Sequence, residues 1–246
     1  YNLGIGLGAN PYNFGRSWFP CFDNFVERST YDFQITTANG RKAYCIGTFL
    51  GETAMGGDTI VRAYSMKQEI PTYQAGIAVS NYSEIRGVHN GEFSNIPTLL
   101  LSNPNDTTSL INSFSDLGTA IDVLEYWYGP YPWEQVGYVL TVRGAMEHPT
   151  LIAYPEFSGT GGPTEGQNSL MAHELCNHRW GDLVNGSTAG DMWFKEGNAE
   201  YGAHLFTERF AGKDAFLNQV KANHVSVMTN AHIDDDGYWQ LSGIPF

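Results

Sequence analysis

Cysteine is scarce in this 246-residue sequence: there are three, Cys21, Cys45 and Cys176, and no CxxC pair. An odd, widely spaced set is neither a disulfide framework nor a cysteine-type zinc site, and it leaves the redox compartment open. Basic residues are also few, 13 Lys and Arg against 26 Asp and Glu, for a net charge of -13. A chain so poor in cations lacks the means to displace counterions from a phosphate backbone, so nucleic acid is not an expected partner. No apolar run reaches the ~18 residues that a membrane-spanning helix needs, so no membrane span is expected. The first residues, Tyr1-Asn2-Leu3, carry neither a basic n-region nor an apolar h-region, and no signal segment is visible. What is present is apolar material, 42% of the residues, enough for the core of one or two domains. The acidic surface suits solubility, and an extracytoplasmic or secreted setting is favoured for it. Nothing in the composition sets the oligomeric state.

Up to about Gly91 the pattern is that of strands. Runs such as Tyr31–Thr36 and Thr59–Tyr64 cluster β-branched and aromatic residues, and Asn39-Gly40, Gly56-Gly57-Asp58 and Asn90-Gly91 separate them as turns. The character changes near Pro97. From Asp106 an amphipathic stripe of Leu110, Phe114, Leu117, Ile121, Leu124 and Tyr128 predicts one helix, stopped by Gly129-Pro130. Strands are predicted over 136–142 and 151–154, and helices over about 167–183, 191–210 and 213–228. The order is α+β: the C-terminal part of an antiparallel β-domain over 1–93, then a partial catalytic-type domain over 94–246.

The sharpest chemical signal is Met171-Ala172-His173-Glu174-Leu175-Cys176-Asn177-His178. It begins like the HExxH zinc helix, in which two imidazoles one turn apart share a face and the Glu activates a water. Position 177, the place of the second imidazole, is Asn. A neutral amide is a poor zinc ligand beside imidazole, thiolate or carboxylate. His178 stands next door, about 140° round a regular helix from His173. A one-residue π-bulge would bring it back to the ligand face. Both arrangements are open to the sequence. On the next helix Glu196 lies in Met192-Trp193-Phe194-Lys195-Glu196-Gly197, 19 residues beyond position 177.

Upstream, Gly144-Ala145-Met146-Glu147-His148 directly follows a predicted strand, and Arg16-Ser17-Trp18-Phe19-Pro20-Cys21-Phe22-Asp23 and Ile70-Pro71-Thr72-Tyr73-Gln74-Ala75-Gly76 punctuate the β-rich part. In order and spacing these segments resemble the aminopeptidase N family of zinc metallopeptidases, the gluzincins that include leukotriene-hydrolase-like enzymes. The match runs over about residues 16–201, with the zinc helix altered at Asn177 and His148 where the family's GAMEN motif has Asn. The resemblance implies a thermolysin-like catalytic domain, here incomplete: the family's first β-domain strands and its catalytic Tyr have no counterpart in these residues. It implies one zinc ion held by His173, Glu196 and the altered position 177, or by His178 if the helix is bulged. Glu174 would be the catalytic base. Gly144, Ala145, Met146 and Glu147 would line the substrate cleft, with Glu147 gripping the free N-terminus of a peptide substrate. The competing expectation is a pseudo-peptidase that binds peptide ends without turnover because of Asn177. Cys176, Trp180, Trp193 and Tyr201 are expected in the core.

Overall fold

The computed structural model describes residues 2–3, 18–22, 24–142, 145–162, 164–188 and 191–231, without the side chains of 2, 3, 165–167, 230 and 231. The β-rich part holds two three-stranded antiparallel sheets. In one, β2 (Arg28–Thr37) and β4 (Thr48–Gly56) flank β5 (Thr59–Pro71). In the other, β1 (Asn2–Leu3) and β3 (Lys42–Cys45) flank β6 (Ile77–Ser80). Arg62 on β5 is buried between them. Its guanidinium lies over the rings of Tyr44 and Phe49 and donates to the Ala43 carbonyl at 2.8 Å. A buried cation is tolerated only with such partners, and Glu52 and Glu84 complete its charge balance at 3.4 and 3.8 Å.

The third sheet runs β10-β9-β8-β7, made by β7 (Ser83–Asn90), β8 (Asn95–Ser102), β9 (Val136–Thr141) and β10 (Ile152–Pro155). β8, β9 and β10 are mutually parallel, and β7 pairs antiparallel with β8 as a hairpin. The division expected at 93/94 therefore falls in the turn between two hydrogen-bonded strands. β7 is a polar edge strand and β8 an apolar inner one, so composition shifts at that turn. Residues on β8 alternate between two cores. Leu99 and Leu101 join Phe33, Tyr44, Ile46 and Met66 of the β-rich part, whereas Ile96 and Leu100 join the helices. One sheet is thus shared by both cores, as its period-2 side-chain geometry allows.

The helices are α1 (Thr107–Ser113), α2 (Leu117–Tyr128), α3 (Glu156–Thr160), α4 (Glu165–Asn177), α5 (Met192–Ala211) and α6 (Lys213–Ser226). The single helix expected over 106–128 is broken at Phe114–Asp116. The Leu117 amide turns back to the Phe114 carbonyl, and the Phe114 ring packs edge-on against Tyr138 and Tyr154. The apolar stripe continues through the break because both halves face one core. The helix expected over 167–183 ends at Asn177, where the chain enters a tight turn described below. Cys176 is fully buried, as expected. Trp193 and Tyr201, expected in the core, are instead 48% and 50% exposed on α5. None of the three cysteines is in a disulfide among the described residues.

Candidate active site

α4 packs along α5, and this pairing brings His173 to Glu196. His173 Nε2 stands 3.2 Å from Glu196 Oε2, and its Nδ1 stands 3.2 Å from Glu200 Oε2. Glu196 and Glu200 lie one turn apart on α5, so a single ring spans two carboxylates on one helix face. Burial works against a charge on His173, but the hydrogen bonds to Glu196 and Glu200 outweigh it and push the imidazole up to about 10. Glu196, despite partial burial, is pulled down to about 2 by His173 and Lys195. Glu174, the next residue on α4, is only 6% exposed, and its Oε2 has no hydrogen-bond partner among the described residues. Burial pushes its carboxyl up to about 8; His173 pulls the other way and Glu147 reinforces the rise.

Asn177 is the last residue of α4, one turn on from His173, and is 2% exposed. Beyond it the backbone tightens rather than widens: the His178 amide bonds to Leu175 O and the Arg179 amide to Cys176 O, both three residues back. A π-bulge would require the opposite, so the helix does not carry His178 round to His173. His178 is fully buried on another side, with Nδ1 2.7 Å from the Tyr131 hydroxyl and Nε2 3.3 Å from the His148 carbonyl. Burial lowers its pKa to about 3, so it is a neutral core imidazole. The chain then reverses. The Asp182 amide closes on Asn177 O at 3.0 Å, and Gly181 sits where an added Cβ would lie 2.9 Å from that same oxygen.

Glu147 reaches the site on an edge strand. Met146 exchanges both backbone hydrogen bonds with Ala153 of β10, each 2.9 Å, so this segment runs antiparallel along the sheet margin. A turn follows in which the Leu151 amide bonds to His148 O at 3.0 Å. Pro149 occupies its second position and Thr150 its third, with φ 68°. That is the pattern of a type II turn, with a β-branched residue where glycine is usual. Ala145 and Met146 are half-buried, and Gly144 lies outside the described residues. Glu147 itself is 3% exposed, and its Oε1 is 2.7 Å from Lys195 Nζ. Lys195 also holds Glu196 Oε1 at 2.9 Å, so one ammonium joins the GAMEN-like segment to α5.

The β-rich part closes the back of this cluster. Gln74 Nε2 lies 3.5 Å from Glu147 Oε1 and also donates to Asp182 Oδ1. Asp182 is fully buried and its carboxyl is held well above the usual range, by burial first and Glu147 second. His148 Nδ1 lies 2.8 Å from Gln74 O, and a Cβ on Gly76 would meet the His148 ring at 2.8–2.9 Å. Sequence reasoning passed over Lys195, Glu200, Gln74 and Asp182. Only Glu200 carried a usable signal, its spacing one turn from Glu196. Lys195 looks like a solvated helical charge until burial is known.

The donor geometry can be weighed against a metal. Two donors of a tetrahedral ion with bonds of ~2.0–2.1 Å lie about 3.3 Å apart, close to the 3.2 Å between His173 Nε2 and Glu196 Oε2. Asn177 Oδ1 is buried and has no hydrogen-bond partner among the described residues. A divalent ion would find two strong donors in His173 and Glu196 and, one helical turn on from His173, a weak one in the amide of Asn177. Among the described residues no group of three or more His, Cys, Asp or Glu is arranged to hold a metal.

No family model matches the chain. Among curated proteins it is 25% identical over 203 residues to glutamyl aminopeptidase of Bos taurus, covering 77% of this chain and 21% of that one. It is 25% identical over 214 residues to leukotriene A-4 hydrolase of Xenopus laevis, covering 84% and 33%. With leucine aminopeptidase 2 of Chaetomium globosum the identity is 29% over 195 residues, covering 76% and 30%. The curated proteins it matches include aminopeptidases and a leukotriene A-4 hydrolase. Among solved structures, an M1 zinc metallopeptidase from Deinococcus radiodurans superposes with a TM-score of 0.72 at 21% identity, covering 83% of this chain and 46% of that one. A mutant M1 zinc metallopeptidase from the same organism, bound to a Tyr-Ser-Ala substrate, gives 0.67 at 22%, covering 83% and 47%. The M1 fold is therefore present over most of this chain, which spans a fifth to a third of these curated relatives.

Proposed function

We propose that this chain carries the substrate cleft of an aminopeptidase-type hydrolase, with Glu147 binding the free amino end of a peptide and Glu174 acting as base. The observation that carries the reading is that Glu147 already holds an ammonium, that of Lys195, at 2.7 Å, with Glu196 and His173 adjoining. A carboxylate fixed beside the reacting centre measures off one residue from the chain end, which confines cleavage to the terminal bond. His173, Glu196 and Asn177 would hold zinc, which when bound supplies Lewis-acid polarisation of the scissile carbonyl. Glu174, which keeps its proton near neutrality in the metal-free chain, would be ionised by the charge of the bound zinc, and would then take a proton from the attacking water and return it to the leaving amine. Its buried setting keeps bulk water from competing for that proton. The cleft wall behind Glu147, formed by Gln74, His148 and Asp182, fixes the anchor's position and excludes solvent.

Release of the N-terminal residue from an unblocked tripeptide, set against its N-acetylated form, tests the reading. Hydrolysis of the free peptide alone, abolished in Glu174→Gln, is the expected result; equal cleavage of both peptides would sink it. A second reading is favoured by Asn177: a protein that binds peptide ends without turnover. It is separated by zinc content, since a non-hydrolytic binder would purify without stoichiometric zinc and show no Glu174-dependent release.

A further inference from the structure

We propose that Lys195 is an internal occupant of the amine subsite, an ammonium that an incoming peptide must displace and that sets how strongly the cleft prefers a free N-terminus. This rests on reading Glu147 as the amine anchor. A lysine ammonium and a peptide α-ammonium are the same donor group, each a compact cation with three N–H donors. Glu147 Oε1 receives the Lys195 ammonium at 2.7 Å, while Gln74 Nε2 stands on the same oxygen at 3.5 Å. With both in place the carboxylate is 3% exposed, and Lys195 is 5% exposed. With Lys195 and Gln74 both against that oxygen and the side chain buried, an external ammonium has no open approach to it until Lys195 moves aside.

The position of Lys195 is accommodated by its surroundings. Its stem passes Gly181, where a Cβ would lie 2.9 Å from Lys195 Cε and 3.4 Å from Glu147 Oε1, so the missing side chain makes the room. The second bond, to Glu196 Oε1 at 2.9 Å, offers the ammonium a neighbouring carboxylate when Glu147 is taken. Lys195 lies in the first turn of α5, and its four-carbon stem can pivot from Glu147 towards Glu196 without moving the helix. Displacement is thus an exchange of one ammonium for another at Glu147. The cost of that exchange lowers affinity for every peptide that uses the anchor and leaves blocked peptides untouched.

The test is calorimetric binding of Tyr-Ser-Ala and N-acetyl-Tyr-Ser-Ala to the full metal-free chain, as wild type, Lys195→Met and Lys195→Gln. The Gln variant keeps a donor for Glu147 in case Met leaves too much buried charge to fold. Either folded variant should bind the free tripeptide at least tenfold more tightly than wild type, with the acetylated peptide unchanged. If wild type and variants prefer the free peptide equally, Lys195 is not an occupant although the anchor reading stands. If no form distinguishes the two peptides, the anchor reading falls and the proposal with it. A second measurement needs no variant: nitrogen-15 NMR of the lysine ammonium groups in wild type. The buried Lys195 signal should shift and broaden on adding Tyr-Ser-Ala and ignore the acetylated peptide; an unmoved signal overturns the proposal.

Discussion

At the scale of single residues the site is dominated by one substitution and two displaced protons. Asn177 stands on the face of His173 and offers a lone amide oxygen, so Asn177→His should raise zinc affinity roughly tenfold or more, measured by competition with a chelating dye. In the metal-free chain His173 holds its proton up to about 10, and a ligating imidazole must give it up. Zinc binding at pH 7 should therefore release about one proton, and apparent affinity should climb roughly tenfold per pH unit through neutrality. Calorimetry in buffers of differing ionisation enthalpy counts that proton; a count near zero would mean that His173 is already neutral. Glu174 behaves in the opposite sense to most carboxylates. Its unfolded form ionises near 4.5, its folded form near 8, so between those values the folded state keeps a proton that the unfolded chain has lost. Stability contributed by the neutral carboxyl is complete below pH 4.5 and is lost as pH rises towards 8. Glu174→Gln should accordingly stabilise the metal-free chain by roughly 1–3 kcal/mol at pH 7, with no gain below about pH 4. Urea denaturation at the two pH values checks both halves of that statement.

At the scale of elements, what the sequence conveyed and what it withheld divide along physical lines. The meeting of His173 with Glu196 was legible because two helices in a fixed packing leave a fixed count of residues between facing positions. Glu147 was legible because its five-residue segment follows a strand directly. The outcome at His178 was not, since a regular helix end and a π-bulge differ by a single backbone hydrogen bond. In the structure the Leu175–His178 and Cys176–Arg179 bonds each span three residues, the spacing of a tightening helix end. His178→Ala should then leave zinc affinity within about twofold and cost about 2–4 kcal/mol, because a fully buried ring with two polar partners is deleted. A variant that instead lost zinc at unchanged stability would reinstate His178 as a ligand. The break at Phe114–Asp116 escaped notice for a different reason. An apolar stripe reports which face is buried, and it continues in phase across a bend that keeps the same core.

At the scale of the whole molecule, one sheet contributes side chains to both apolar cores. Leu99, Leu101, Trp133, Val139 and Leu151 lie in the same apolar cluster as Phe33, Tyr44 and Met66. Polar bonds tie the same seam: Arg28 donates to the Asp182 carbonyl, and the Gly47 amide bonds to Thr150 Oγ1 at 2.7 Å. The chain should unfold in one transition with matching calorimetric and van't Hoff enthalpies, checked by scanning calorimetry. Two separated transitions would show that the seam contributes little. A cut in the β7–β8 turn should leave neither half folded, because it separates strands paired along their full length.

The contact of Gly76 with the His148 ring carries a consequence for the order in which sequence change can occur. With a Cβ there falling 2.8–2.9 Å from three ring atoms, position 76 is closed to alanine for as long as 148 is histidine. A smaller residue at 148 must come first. The two sites are therefore locked in sequence, and a lineage that has acquired His148 has surrendered the freedom to vary at 76 until it reverses that step.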